Sequence, residues 1–543
     1  MTAANPAVTP ADADVPSEAH ARPQLEVKNH WIGIVLFAGL ILGGLAYLVY
    51  SLQADMSEAH VPTATLLAFL LLGVALLIAL GFEFVNGFHD TANAVATVIY
   101  THSLKPHFAV VWSGVWNLLG VLFSSGAVAF GIISLLPVEL ILQVGSGAGF
   151  AMVFALLIAA IIWNLGTWWL GLPASSSHTL IGSIIGVGLA NQLIHSAGGT
   201  SGVDWAQATN IGKSLLISPV VGFVCSAVLL LVVKAMVRNP ALYRAPQGNR
   251  PPPWWIRGIL ILTCTGVSFA HGSNDGQKGM GLIMLILIGT VPMAYALNRS
   301  MVDSDVTRFL AVAQVTAESL KSASDNVPPP ADARAAVTEF IRTREASPAT
   351  VPALAALTTT IAGEVEHYGS IRSVPPESVT NVRNEMYLAS EAIRLLQKNP
   401  PAILTDKAKA NLTEFKRSLD QSTKFIPLWV KVCVAIALGL GTMVGWKRIV
   451  VTVGEKIGKS HLTYAQGASA ELVAMTTIAA ADMYGLPVST THVLSSGVAG
   501  TMAANGSGLQ WATVRNLLLA WVLTLPMAIL LSGSLFVLFV NIF

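Results

Sequence analysis

The amino-acid sequence predicts an all-α polytopic membrane protein with about ten to twelve transmembrane segments, built as two inverted repeats with broken helices. The first observation is composition: of 543 residues, 53% are hydrophobic and 11% are charged, whereas soluble domains contain about 25% charged residues. The second is that apolar residues form blocks such as 65–82 and 212–235, which are long enough to cross a bilayer as helices. The third is a pair of motifs that occurs twice.

The order of these blocks divides the chain into segments. Residues 1–30 are polar and proline-rich, so we expect a disordered tail. The remaining boundaries are an additional first transmembrane helix and loop at 31–62, a first repeat at 63–236, a basic cytoplasmic linker at 237–257, a second repeat at 258–297 and 427–543, and a polar insert at 298–426. The insert has helical spacing of apolar residues and is expected to be either a small water-exposed helical domain or a loosely ordered segment.

The repeated motifs indicate a duplication. The stretch 171-GLPASSSHTLIGSIIG-186 returns as 485-GLPVSTTHVLSSGVAG-500, and 84-FVNGFHDTANAV-95 matches 269-FAHGSNDGQKGM-280. From the Asp of one motif to the His of the other is 88 residues in the first copy and 217 in the second, and the excess of 129 is the length of the insert. The second copy therefore carries the insert.

Basic loops predict that the two copies face opposite sides of the membrane. Loops 236–257 and 446–461 each carry four Lys or Arg residues, which places them in the cytoplasm. Counting crossings from these loops puts loop 101–107 inside and residue 298 outside, so the insert is predicted to be periplasmic. Equivalent loops on opposite sides are typical of secondary transporters, whose substrate site lies at the repeat interface.

The site is expected where helices break inside the membrane. Irregular backbone is tolerated there only where it lines a cavity, and 86–94 and 270–279 both place polar residues and Gly inside apolar stretches, so we expect a break at each. The Gly-Leu-Pro motifs precede Ser176, Ser177, Thr490 and Thr491. Hydroxyls after a Pro are natural helix caps, and a half-helix that begins there presents free N–H groups to an anion.

Charged residues within apolar sequence indicate which class of substrate the site binds. Asp90 with Asn93, and Asp275 with Lys278, have i,i+3 spacing and share a helix face. An ionised carboxylate only accepts hydrogen bonds, so these residues suit an oxyanion that still carries a proton, such as phosphate. Alternatively Asp90, Asp275, Glu83 and Glu471 meet a coupled cation, since intramembrane carboxylates mark ion pathways.

These motifs resemble the inorganic phosphate transporter (Pit) family, and the likeness to its bacterial low-affinity type extends over nearly the whole chain. Stretches 84–101, 163–182, 268–279 and 487–502 carry it. The family signature is similar to Gly-x-Asn-Asp-x-x-Asn; the first copy has His89 for the first Asn, and the second has Lys278 for the last. The resemblance implies that Asp90, Asn93, Asp275, Ser176, Ser177, Thr490 and Thr491 bind phosphate.

The expected function is secondary active import of inorganic phosphate across the inner membrane by a multi-pass protein. The resemblance implies proton symport, with transport as a neutral metal–phosphate complex as one form; the ammonium of Lys278 disfavours a sodium site. The alternatives are a sodium-coupled symporter, an anion channel and a membrane-bound phosphate-ester enzyme. The expected partners are phosphate, a coupled proton or cation, a divalent metal travelling with phosphate, the lipid bilayer and a second copy in a homodimer. No catalytic residue, resident metal site, cofactor or nucleic acid is expected.

Overall fold

The protein is all-helical in the part of the chain that the structure describes. The computed structural model describes residues 23–26, 31–61, 66–90, 92–136, 140–141, 147–195, 202–246, 250–324 and 327–542. Within these ranges the β-structure is limited to an isolated bridge between Gly458 and Leu509. Most of the predicted tail 1–30 lies outside the described residues.

The helices of the first part precede the basic linker. They are α1 (Trp31–Glu58), α2 (Leu66–Asp90), α3 (Ala92–Tyr100), α4 (Pro106–Phe123), α5 (Ala127–Ile133), α6 (Gly147–Trp169), α7 (Ser176–Ile194) and α8 (Trp205–Met236). A 3₁₀ turn at Pro240–Leu242 lies in the linker.

The helices of the second part enclose the insert. They are α9 (Trp254–Thr290), α10 (Pro292–Tyr295), the insert helices α11 (Asp303–Ala323), α12 (Ala333–Thr343), α13 (Thr350–Tyr368), α14 (Pro376–Lys398) and α15 (Asp406–Thr423), and then α16 (Leu428–Thr442), α17 (Lys447–Val451), α18 (Tyr464–Met483), α19 (Thr490–Ala504) and α20 (Trp511–Val540).

The polytopic all-α fold is confirmed. Seven described helices are long and apolar enough to cross a membrane, or eight if α15 and α16, which meet at 75°, count as one span. This number is below ten to twelve for a physical reason. Helices α9 and α18 contain buried polar and charged residues, which lower their hydropathy, and α19 has 15 residues, fewer than the roughly 20 that a span needs.

The two stretches expected to break their helices differ. In the first, α2 ends at Asp90 and α3 begins at Ala92. In the second the expectation of a break is wrong, because α9 continues as one helix of 37 residues through 270–279. Its glycines allow close helix packing instead: a Cβ at Gly272 would lie 2.1 Å from the carbonyl oxygen of Asn117 in α4.

The two halves pack against each other in matching ways. Gly87 of α2 packs against α16, where a Cβ at Gly87 would lie 2.2 Å from the carbonyl oxygen of Leu438. Gly272, the equivalent glycine of the second motif, packs just as closely, since a Cβ there would lie 2.1 Å from the carbonyl oxygen of Asn117. Likewise Gly186 of α7 abuts α20, and Gly222 of α8 abuts α19. Each half therefore completes the other, as a duplication predicts; the inverted orientation of the copies stays a prediction.

The insert is a folded helical domain, not a loosely ordered segment. Helices α11 to α15 enclose a hydrophobic core of their own, which includes Phe309, Phe340, Leu354 and Phe415. Its two ends are joined, because Asn298 N–H donates to the carbonyl of Ser422 at 2.8 Å. The insert can thus be attached to the membrane part through a connection as short as a loop.

Candidate oxyanion site

Two helices begin inside the protein and face each other. Ser175 caps α7 by accepting a hydrogen bond from the N–H of His178, and Ser489 caps α19 in the same way with His492. The imidazole rings of His178 and His492 lie 4.6 Å apart. The first turns of α7 and α19 are therefore adjacent, and both carry the positive end of a helix dipole.

Gly-Leu-Pro turns hold these helix starts in place. Gly171 and Gly485 have φ of +67° and +64°, a conformation that glycine adopts without strain. The hydroxyl of Ser177 donates to the carbonyl of Val488 at 2.9 Å, which joins the two turns directly. The repeated motif therefore supplies both helix starts of one site.

A buried charge cluster lies beside the start of α7. The ammonium of Lys278 is 2.8 Å from Asp275 Oδ2 and donates to the hydroxyl of Ser176 at 3.2 Å. Ser176 in turn donates to Asp275 Oδ2 at 3.4 Å. All three side chains are at most 1% exposed, so the ion pair is fully desolvated and its geometry is fixed by these contacts.

Two polar atoms at this cluster and at the neighbouring start of α19 have no hydrogen-bond partner in the described part of the structure. Asp275 Oδ1 and the buried hydroxyl of Thr490 have no described hydrogen-bond partner. Lys278 has three N–H donors, and two of them meet Asp275 and Ser176. The site can therefore both donate to and accept from a bound group.

Sequence reasoning missed the residues that support Asp275 from behind. His271 Nε2 lies 3.3 Å from Asp275 Oδ2, and its Nδ1 lies 2.8 Å from Asn117 Oδ1. Asn117 donates to Thr442 Oγ1 at 3.3 Å, so the chain of contacts joins α9, α4 and α16. The i,i+4 spacing of His271 and Asp275 could have predicted their contact. For Asn117 the sequence offers no signal other than a polar residue in an apolar helix.

Asp482 holds the opposite face of α9. Its carboxylate accepts from Ser273 Oγ at 2.7 Å and from Gln277 Nε2 at 2.6 Å. Asn274 donates to the carbonyl of Leu486 at 3.2 Å. These bonds fix α9 against the turn that begins α19, so the opposite face, which carries Asp275 and Lys278, is held against Ser176 at the start of α7 in one register.

The carboxylates that we predicted to meet a coupled cation lie at two distinct positions among the described residues. Glu83 lies against Gly279, where a Cβ would meet its Cγ at 2.2 Å, and so belongs to the Lys278 cluster. Glu471 does not: it accepts hydrogen bonds from Thr97 and Thr263. Thr263 and Asp275 are both in α9, and their separation of twelve residues is about 18 Å along a helix.

The remaining predicted residues have different outcomes. The side chains of Asp90 and Asn93 lie outside the described residues, so their roles stay predictions. Thr491 is buried in the first turn of α19 beside Thr490. The structure thus brings together Glu83, Ser176, Asp275 and Lys278, and places the other three hydroxyls at the two adjacent helix starts.

Known proteins resemble this chain over most of its length. Residues 86–532 match the model of the phosphate transporter family. The low-affinity inorganic phosphate transporter PitB of Escherichia coli K12 is 43% identical over 489 residues, which are 86% of this chain and 96% of that protein. PitA of the same strain is 43% identical over 488 residues, with the same shares. A solved structure titled "The sodium-dependent phosphate transporter" has a TM-score of 0.49 at 20% identity, covering 87% of this chain and 100% of that one.

Proposed function

The chain belongs to the phosphate transporter family, and from this premise we propose that it imports inorganic phosphate across the inner membrane as a proton-coupled secondary transporter. The observation that carries the proposal is the buried Asp275–Lys278 pair, with Ser176, at the start of α7. A cation, an acceptor and a helix N-terminus at one point suit an anion that still carries a proton.

Each group has a distinct part in binding. The ammonium of Lys278 and the N–H groups of the first turns of α7 and α19 donate to phosphate oxygens. Asp275 Oδ1, which has no described partner, accepts a hydrogen bond from the P–OH group. Ser176, Ser177, Thr490 and Thr491 add hydroxyls at the two helix starts. Sulfate lacks that proton near neutral pH and would place a negative oxygen against a carboxylate.

The same pair supports proton coupling. A fixed ammonium 2.8 Å from Asp275 occupies the place where a sodium ion would meet that carboxylate, and it repels a second cation. A protonated phosphate then brings its proton as part of the substrate. Asp90, if it adopts the equivalent role in the first copy, would supply a second acceptor, and a neutral metal–phosphate complex is a further form that such a site would carry.

Sodium coupling is the second candidate, and the Glu471 cluster favours it. Glu471 is buried and meets the hydroxyls of Thr97 and Thr263. Such an all-oxygen set suits a hard cation. The two candidates differ in which ion gradient drives uptake, and Glu83, beside Lys278, is the further carboxylate available to the coupled ion.

The transport function is tested by counterflow in proteoliposomes. Vesicles loaded with unlabelled phosphate should transiently accumulate external labelled phosphate above its equilibrium level, because a carrier exchanges substrate through alternating access. An anion channel would only equilibrate the label. Hydrolysis of a phosphate ester by the purified protein, without counterflow, would contradict the proposal and favour an enzyme.

The orientation of the insert is tested by labelling. We propose that the insert is periplasmic, as the basic loops predict. Ser347 is exposed on the insert, so a Ser347→Cys variant in a Cys225→Ser background should react with an impermeant maleimide added to intact spheroplasts. Labelling that requires membrane disruption would overturn both this placement and the inverted orientation of the repeats.

A further inference from the structure

A cavity of about 360 Å³ lies between the insert and the membrane part. Phe130, Gly131 and Ser134, in and just after α5, line one side, and α14 and α15 of the insert line the other. Its lining contains no residue of the cluster around Asp275.

The cavity is lined by more cations than anions. Arg383, Arg394, Lys416 and Lys424 face two carboxylates, those of Glu391 and Asp420. Both acids are already paired within the insert. Asp420 meets Lys416 at 2.6 Å and Lys424 at 2.8 Å, and Glu391 accepts from Arg394 Nε at 2.9 Å.

The two lysines keep Asp420 ionised. Burial alone would raise the pKa of Asp420, but Lys424 and Lys416 lower it more, so the pKa lies below its ordinary value. Arg394 also binds Asp204 at the start of α8, at 2.5 Å, which attaches the insert to the membrane part. The acids are thus engaged with these partners, and Arg383 is the cation of the lining that pairs with none of the described carboxylates.

Arg383 is a buried cation whose charge is not balanced by a neighbour. It is 7% exposed, and among the described residues no carboxylate lies within ion-pair distance of it. Its Nη1 donates to Asn384 at 3.2 Å and its guanidinium stacks on Tyr387, while Nε has no described acceptor. A buried, unpaired charge is costly, and a guanidinium binds an oxyanion through a fork of donors.

The cavity adjoins the candidate transport site through α5. Val128 N–H donates to Gln277 Oε1, next to Lys278, at 2.8 Å. A Cβ at Gly131, which lines the cavity, would lie 3.4 Å from the carbonyl of Gly485. One short helix therefore separates the cavity from the turn that begins α19.

We propose that this cavity is a second oxyanion site, in which Arg383 and the Nη1 group of Arg394, which has no described hydrogen-bond partner, bind inorganic phosphate before it reaches the site at Asp275. The inference that phosphate passes from this cavity to the site at Asp275 rests on the proposed function. The binding of phosphate in the cavity does not depend on that function. A phospholipid headgroup has the same phosphate chemistry and could reach a cavity beside the membrane part, so the test separates the two sources.

The test uses the full chain with Ser134→Cys as a reporter in a Cys225→Ser background, reconstituted in nanodiscs of zwitterionic lipid. Inorganic phosphate at millimolar concentration should slow maleimide labelling of this cysteine at least about threefold, because the ligand and the reagent compete for the same cavity. Arg383→Gln should abolish the protection. Arg342→Gln, which removes the same charge from a half-buried position of the insert outside the cavity, should leave it intact.

Each outcome decides the proposal. Absence of protection by phosphate, or protection that persists in Arg383→Gln, overturns it, as does protection given by anionic-lipid nanodiscs but not by phosphate. Should Arg383→Gln fail to fold, Arg383→Lys keeps the charge but loses the fork and should weaken protection at least about threefold. Counterflow that succeeds without protection would refute this site alone, and protection without counterflow would refute only the transport function.

Discussion

Replacing Asp275 with Asn should reduce phosphate uptake to about 1% of the unmodified rate or less. The carboxylate is the acceptor for Lys278 and Ser176, and we assign its other oxygen to the P–OH group. Hydrogen bonds to charged groups contribute about 1.5–3 kcal/mol each, and a loss of about 3 kcal/mol corresponds to about 100-fold. Initial uptake of labelled phosphate in proteoliposomes measures this directly.

This substitution has a structural cost that must be separated from its effect on transport. Asp275→Asn removes the carboxylate that pairs with the buried Lys278 ammonium, and breaking such a pair costs about 3–5 kcal/mol. The double variant Asp275→Asn with Lys278→Met removes both charges and should recover thermal stability. Uptake should remain absent. Normal uptake in either folded variant would show that Asp275 does not bind phosphate or the coupled ion.

The sequence was sufficient to find the helix starts of the site. Gly-Leu-Pro followed by hydroxyls predicts a turn and a capped half-helix, and both copies have this structure, although the caps are Ser175 and Ser489, one residue before the predicted Ser176 and Thr490. The pairing of Asp275 with Lys278 also follows from local spacing, because residues three apart in a helix are neighbours.

Contacts between distant helices could not be read in this way. A polar, glycine-rich stretch has two physical outcomes in a membrane: it breaks the helix, or it remains helical when neighbouring helices approach closely and satisfy its side chains. In α9 the second occurs, since Gly272 admits the carbonyl of Asn117 and Asp482 accepts from Ser273 and Gln277. Asn117 and Asp482 lie outside the repeated motifs, so the sequence gives no local sign of these partners.

The contacts of the insert with the membrane part likewise could not be predicted from local sequence. Its helical spacing predicts helices within the insert, whereas its attachment through Arg394 and Asp204 joins residues 190 positions apart. Only the folded chain brings Arg383 to a cavity against α5. The position of that cavity is therefore a structural finding.

The proposal of proton coupling rests on where positive charge is fixed. Lys278 is 1% exposed and lies with Asp275 in an ion pair, so the cluster already contains its cation. A proton arriving on phosphate needs no further cation site there. If sodium is instead required, it must bind away from this cluster, and Glu471 with Thr97 and Thr263 is the described group of oxygens suited to it.

The most direct measurement is uptake of labelled phosphate by proteoliposomes under one imposed ion gradient at a time. With sodium absent, an inward proton gradient should drive accumulation above the equilibrium level, and a proton ionophore should abolish it. An inward sodium gradient at equal pH on both sides should give no accumulation. Accumulation that requires sodium and ignores the proton gradient would contradict the proposed proton coupling and move the coupling site to Glu471.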